Sequence, residues 1–259
     1  MLNKSIGFIG AGRITRIFLE GFANAGLSFK EIIVSDPNHE NLAVIKSNYP
    51  DVNTALNDNR SAAKCDIIFL ATLPPIINSI LDEIKLELNS DSTIISLAPK
   101  LAIASISERL DGFERIVRVI PNACSMVNYG FNPIVFATSF SRAERSEIMD
   151  IFTPLGECPQ VSEEKLEAYA VITAMGPTYL WFQLYELQKI AMRIGLSPYE
   201  AKNGVLAMAT GTIKLMSDSQ LTPEEIMDLV PTKPLGKEEE NIKNLLRVNL
   251  DSIYYRLRS

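Results

Sequence analysis

The residues best placed by type and spacing to do chemistry are two glycines in the run Ile6-Gly7-Phe8-Ile9-Gly10-Ala11-Gly12-Arg13-Ile14-Thr15. They occupy the first two positions of a G-x-G-x-x-G/A pattern, set between an apolar strand-like run and an amphipathic helical one. Gly10 permits a tight turn. Gly12 lets the main chain approach a pyrophosphate, which then rests on the amides and the positive end of the following helix, beginning at Arg13 and Ile14. Thr15 stands in the third small position, and the bland alternative is a turn that merely packs.

Asp36 follows the glycines by about the 20 residues at which a carboxylate accepts hydrogen bonds from the adenosine ribose hydroxyls. This favours NAD over NADP: a 2′-phosphate would meet like charge, and no arginine lies between Ser35 and Lys46 to offset it. Ser35, Asn38 and His39 remain as hydrogen-bond donors. The alternative for Asp36 is a turn-forming Asp-Pro pair after a strand. His39 is the single histidine and falls at the adenosine end, which argues against a histidine acid/base, Ser-His-Asp hydrolysis and histidine-ligated metal catalysis. Cys65, Cys124 and Cys158 are far apart and lack a C-x-x-C pair, so no metal site and no disulfide framework is expected.

Those residues need a frame, and the first ~160 residues alternate β-rich runs with helical patterns, the arrangement of a mostly parallel sheet with crossover helices. Strands are expected at Lys4 to Ile9, Glu31 to Ser35, Asp66 to Ala71, Thr93 to Leu97 and Arg115 to Ile120. The almost unbroken apolar run Cys65 to Ala71 belongs at the sheet centre, covered on both faces. Pro133 to Ala137 and Cys158 to Val161 are weaker edge strands flanking a helix opened by Ser141, with Glu144 three residues on.

Beyond residue 162 the strand signals stop, so the division is 1–161 for a dinucleotide-binding domain and 162–259 for an all-α domain. Gly176-Pro177 interrupts its first helix. Thr222-Pro223-Glu224-Glu225 is a complete helix-start signal, and the last helix carries an apolar face through Ile242, Leu245, Leu246, Ile253, Tyr254 and Leu257. The fold class is therefore α/β: an N-terminal Rossmann-type, doubly wound, mostly parallel sheet with a C-terminal helical domain.

Of 259 residues, 47% are hydrophobic and 22% charged, enough for one or two cores, and no 20-residue apolar run is present, so no membrane span is expected. A net charge of -6 gives no footprint for nucleic acid. The apolar start is cut at once by Gly10 and Gly12, so it reads as a strand and not a targeting segment, and a cytoplasmic protein is expected.

Taken together, Phe8-Ile9-Gly10-Ala11-Gly12, Val34-Ser35-Asp36-Pro37-Asn38, Val117-Arg118-Val119-Ile120-Pro121-Asn122, Met175-Gly176-Pro177-Thr178-Tyr179 and the segment from Asp228 to Gly236 resemble the pyrroline-5-carboxylate reductases over nearly the whole chain. The resemblance implies NADH or NADPH as cofactor, a cyclic imino acid reduced to proline, and a helical domain that forms a homodimer and completes each site. It sets Ala71, Thr72 and Leu73 along the cofactor, although the family's lysine is lost there. Asn122 faces the nicotinamide region. Thr173 and Thr178 stand among the hydroxyl donors, with a bulky Met175 between them.

The family's Ser-Pro-Gly-Gly-Thr-Thr loop, which holds the substrate carboxylate, is here Lys233-Pro234-Leu235-Gly236-Lys237-Glu238. The amides of Leu235, Gly236 and Lys237 are the carboxylate candidates, and the Lys237 ammonium adds a charge. Lys233 and Lys237 read equally as a solvated helix start balanced by Glu238, Glu239 and Glu240. Thr178 reads equally as a helical threonine bonding back to its own chain. Met175, Trp181 and Phe182 suit core or dimer packing. Imine reduction asks mainly for orientation and a proton on nitrogen, so a site without histidine suffices. A reductase of a different imino acid, and a dinucleotide-binding regulatory dimer without activity, stay open as alternatives.

Overall fold

A computed structural model describes residues 2–258. The chain opens with β1 (Leu2–Ile9), α1 (Arg13–Asn24), β2 (Phe29–Asp36), α2 (His39–Asn48), β3 (Asn53–Leu56), α3 (Asn59–Ala63) and β4 (Ile67–Leu70). It continues through α4 (Pro74–Ile84), β5 (Thr93–Ser96), α5 (Ile103–Arg109), β6 (Ile116–Val119), β7 (Gly130–Phe131), β8 (Ile134–Phe136), α6 (Arg142–Phe152) and β9 (Gly156–Glu157). Helices alone follow: α7 (Leu166–Tyr169), a π-turn at Ala170–Ala174, α8 (Gly176–Arg193), α9 (Pro198–Asp218), α10 (Pro223–Asp228) and α11 (Glu239–Arg258).

Among the described residues seven strands form one sheet in the order β3-β2-β1-β4-β5-β6-β8. All neighbours are parallel except β8, which runs antiparallel on β6. The strand order reverses between β1 and β4. Every residue of β4 is buried, as a doubly covered strand requires. On one face Phe8 stacks on Phe69 with centroids 4.6 Å apart, and Phe18 of α1 meets Phe69 edge-on at 5.8 Å. On the other, Ile68 and Leu70 pack with Ile77, Leu81 and Ile84 of α4.

Two sequence expectations need correction. β3 is a four-residue edge strand that opens on two polar residues, Asn53 and Thr54, in register with Ile33 and Val34 of β2, and no apolar alternation announced it. Cys158 to Val161 is not a strand: β9 lies just before it and pairs with β7, leaving a single bridge between Ile134 and Gln160. Ser141 and Glu144 do form the expected capping box of α6, and Thr222 and Glu225 that of α10.

The chain condenses into two compact units. One runs to Ala174 and takes in the last turn from Tyr254; the other is Met175–Ile253. The stretch 162–174 joins the first because Leu166 and Ala170 pack with Ile120 and Val135, against which Leu257 also rests. In the second unit α8 buries none of its residues within the single chain, and Leu180, Phe182 and Tyr185 lie open.

Candidate functional site

In a doubly wound sheet the ligand crevice lies beyond the carboxyl ends of the strands where their order reverses, here β1 and β4. The loop that leaves β1 is held by four hydrogen bonds. Gly10 N–H donates to Ser35 O at 2.7 Å, and Thr15 Oγ1 donates to Gly10 O at 2.5 Å. Ala11 N–H donates to the Asp36 carboxylate at 2.7 Å, and Ala71 N–H to Ile9 O at 2.9 Å. Thr15 thus fills the third small position by turning its hydroxyl onto the loop it follows.

Gly10 has φ +109°, and a Cβ there would sit 2.6 Å from Ala71 O, so no other residue fits without movement. Around Gly12 the opposite holds: a Cβ would meet nothing within 4 Å. Gly12 caps α1, and the amides of Arg13 and Ile14 belong to the first turn, which an α-helix leaves without internal partners. Open space over a helix start, beside a buried Thr72 Oγ1 that has no partner among the described residues, fits a pyrophosphate-bearing dinucleotide. Ala71 and Thr72 sit half-buried at the end of β4, and Leu73 is exposed just before α4.

Asp36 departs from its expected stance. It is 8% exposed, with one carboxylate oxygen accepting Ala11 N–H and the other Asn38 N–H at 2.8 Å. The side chain is committed to two main-chain amides of its own protein. His39 is exposed as the first residue of α2, beside the cap Asn38, whose side chain accepts the amides of Glu40 and Asn41.

Asn122, expected to face the nicotinamide, is also committed inward. Its Oδ1 accepts Cys124 N–H at 2.8 Å, capping the 3-10 turn Ala123–Val127, and its Nδ2 donates to Thr173 O at 2.7 Å. Its backbone N–H donates to Asn132 Oδ1 at 3.0 Å. Asn122 is therefore a bracket between the end of β6 and the π-turn. Thr173 Oγ1 donates to Tyr169 O at 2.8 Å, and Thr178 Oγ1 to Met175 O at 2.6 Å, so neither hydroxyl proton is free in this geometry. The reason is the same for both: a helical threonine hydroxyl lies within reach of the carbonyl three or four residues back in its own turn.

Sequence reasoning missed Arg118, 2% exposed on β6. Its guanidinium donates to Glu163 and to Glu167, each at 2.9 Å, while those carboxylates also accept Ile103 N–H at 2.8 Å and Lys100 N–H at 3.3 Å. The network ties the loop after β5, strand β6 and the segment leading into the π-turn. Its signal was a lone arginine inside the apolar run Ile116 to Ile120, which cannot be buried unpaired.

In the second unit Met175 precedes α8 and accepts the Thr178 amide at 2.9 Å. Leu235, Gly236 and Lys237 form a turn in which Gly236 N–H donates to Lys233 O at 3.0 Å and Glu238 N–H to Leu235 O at 2.9 Å. All three are exposed in the single chain. Among the described residues no group of three or more histidine, cysteine or acidic side chains is arranged to hold a metal, and no helix is long and apolar enough to cross a membrane. The three thiols are unpaired; burial pushes Cys65 up to about 11 and Cys158 up to about 12, and raises Cys124 as well.

Two family models match the chain. One, described as NADP oxidoreductase coenzyme F420-dependent, covers residues 5–100, and the other, pyrroline-5-carboxylate reductase dimerisation, covers 163–257. The pyrroline-5-carboxylate reductase of Staphylococcus aureus is 24% identical over 248 residues, 95% of this chain and 91% of that protein. Pyrroline-5-carboxylate reductase 2 of Bos taurus is 28% identical over 232 residues, 87% of this chain and 72% of the relative. Among solved structures, the Plasmodium falciparum pyrroline carboxylate reductase with NADP bound superposes with TM-score 0.83 at 24% identity, covering 99% of this chain and 98% of that one. The Coxiella burnetii pyrroline-5-carboxylate reductase superposes with TM-score 0.72 at 25% identity, over 98% and 94%.

Proposed function

The chain belongs to the pyrroline-5-carboxylate reductase family, and from that premise we propose that it reduces the C=N bond of pyrroline-5-carboxylate, giving proline. At the coarser level it is an NAD(P)H-dependent oxidoreductase of that type, and a homo-oligomer. The observation that carries the reading is the glycine turn at the β1/β4 reversal, open over Gly12 and tied down at Gly10 and Ala11.

When bound, a reduced nicotinamide supplies the hydride. The chain's own part is to bind and orient. Gly12, Arg13 and Ile14 present amides to the pyrophosphate, and the Arg13 guanidinium, exposed at the same helix start, adds charge. Thr72 and Ala71 border Gly10, while Asn122 and the Arg118 network hold the loops after β5 and β6 in place. The turn of Leu235, Gly236 and Lys237 is the proposed seat of the substrate carboxylate, with Lys237 as its charge partner and Met175 as an apolar wall. With the hydroxyl protons of Thr173 and Thr178 committed, the proton on nitrogen comes from solvent. Residues 1–161 carry the cofactor in this reading and 162–259 the dimer and substrate contacts, the exposed apolar side chains of α8 and α9 being those a second copy covers. A cytoplasmic location suits the three unpaired thiols.

The test is consumption of NADH and of NADPH by the folded protein on addition of pyrroline-5-carboxylate. Turnover supports the reading. A protein that binds the cofactor and turns over no pyrroline-5-carboxylate overturns it. A second reading, reduction of a different imino acid, is favoured by one observation: Leu235 and Lys237 stand exposed in the carboxylate turn, where a bulkier or more acidic substrate would meet them. Relative kcat/KM over a panel of cyclic and acyclic imino acids separates the two.

A further inference from the structure

The geometry points to Asp36 as a positioning residue of the dinucleotide loop that does not read the adenosine ribose. The inference rests on the dinucleotide reading above and concerns which group sets cofactor choice. In a strand-end aspartate that reads a sugar diol, the carboxylate faces the groove. Here it is 8% exposed and closes two bonds to main-chain amides, a buried one to Ala11 N–H at 2.7 Å and a part-buried one to Asn38 N–H at 2.8 Å.

Both bonds are to elements that shape the pyrophosphate seat or its neighbour. Ala11 lies between the two loop glycines, and Asn38 caps α2. The backbone completes the same bracket: Asn57 N–H donates to Asp36 O at 3.2 Å and Gly10 N–H to Ser35 O at 2.7 Å. Charge-assisted bonds to two amides are what let a carboxylate stay buried, and turning it outward would strand Ala11 N–H in the interior of the loop. Those amide dipoles also spread the charge that a 2′-phosphate would otherwise oppose. Asp36 therefore acts on the part of the ligand common to NADH and NADPH, and the preference between them does not come from it.

The experiment is equilibrium binding of ADP, NADH and NADPH to the wild-type protein and to Asp36→Asn and Asp36→Ser, with thermal melting in parallel. In each variant all three affinities fall by the same factor, about tenfold, because at least one of the two amides loses its charged acceptor and the shared seat loosens. A residue with only a structural role would lower the melting temperature and leave the affinities of the folded protein unchanged, which refutes the proposal. A shift of tenfold or more in the NADH-to-NADPH affinity ratio, towards NADPH, also refutes it, because about that factor is what a lost charge-assisted bond to the ribose produces. Should neither variant fold, the wild type decides through 2′,3′-dideoxy-ADP: binding within about threefold of ADP supports the proposal, and a loss beyond about thirtyfold overturns it. Failure of the folded wild type to bind any of the three ligands removes the dinucleotide reading itself, a different result from either.

Discussion

Replacing Asn122 by alanine tests whether this residue is a bracket or a ligand contact. The side chain is part of a residue only 5% exposed, and it makes two bonds: acceptance from Cys124 N–H at 2.8 Å and donation to Thr173 O at 2.7 Å. Truncation leaves one buried donor and one buried acceptor unpaired, each costing about 1–3 kcal/mol, reduced where water can enter the space left behind. We expect Asn122→Ala to lose ~2–4 kcal/mol. Asn122→Asp keeps the bond to Cys124 and sets a carboxylate oxygen against the Thr173 carbonyl, so it isolates the link to the π-turn and should lose at least half as much. Urea unfolding followed by far-UV circular dichroism, at fixed protein concentration because an oligomer's stability depends on it, measures both. The reasoning is refuted if either variant stays within ~0.5 kcal/mol of wild type while kcat alone collapses. That pattern would mean that the amide touches a ligand and braces nothing.

The Arg118 network predicts that Arg118→Ala, which leaves Glu163 and Glu167 without their shared cation, destabilises by ~3–5 kcal/mol, measured in the same denaturant titration. Lys100 holds φ +71°, a conformation that a side chain adopts at a cost, so Lys100→Gly should raise stability by ~0.5–1 kcal/mol and the melting temperature with it. Glu144 is held down to about 2, first by the Ser141 hydroxyl and then by Arg115, from an ordinary value of 4.5. Because its folded pKa is the lower, its contribution is complete above the ordinary value and is lost as pH falls from about 4.5 to about 2. In Glu144→Gln the pH dependence of the melting temperature across that window should flatten.

Much of the frame was legible in the chain itself. Alternating apolar runs announced the parallel strands, and the unbroken Ile67 to Leu70 announced a strand covered on both faces, because burial on two sides leaves no polar position to alternate with. Capping boxes at Ser141 and Thr222 were readable because a helix start is settled within four residues. The box at Ser197 and Glu200 carries the same local signal. β3 was illegible for the converse reason: an edge strand whose pairing comes wholly from β2 needs no apolar pattern of its own.

The roles of single polar residues lay beyond the sequence. Asp36 binds Ala11, which is 25 positions away, Asn122 binds Thr173, 51 away, and Arg118 binds Glu163 and Glu167, 45 and 49 away. Whether such a side chain faces a ligand or its own protein depends on which distant backbone group arrives within hydrogen-bonding distance, and only the closed fold brings them there. Periodicity is a property of neighbours along the chain, whereas the partner of a buried charge is chosen in space.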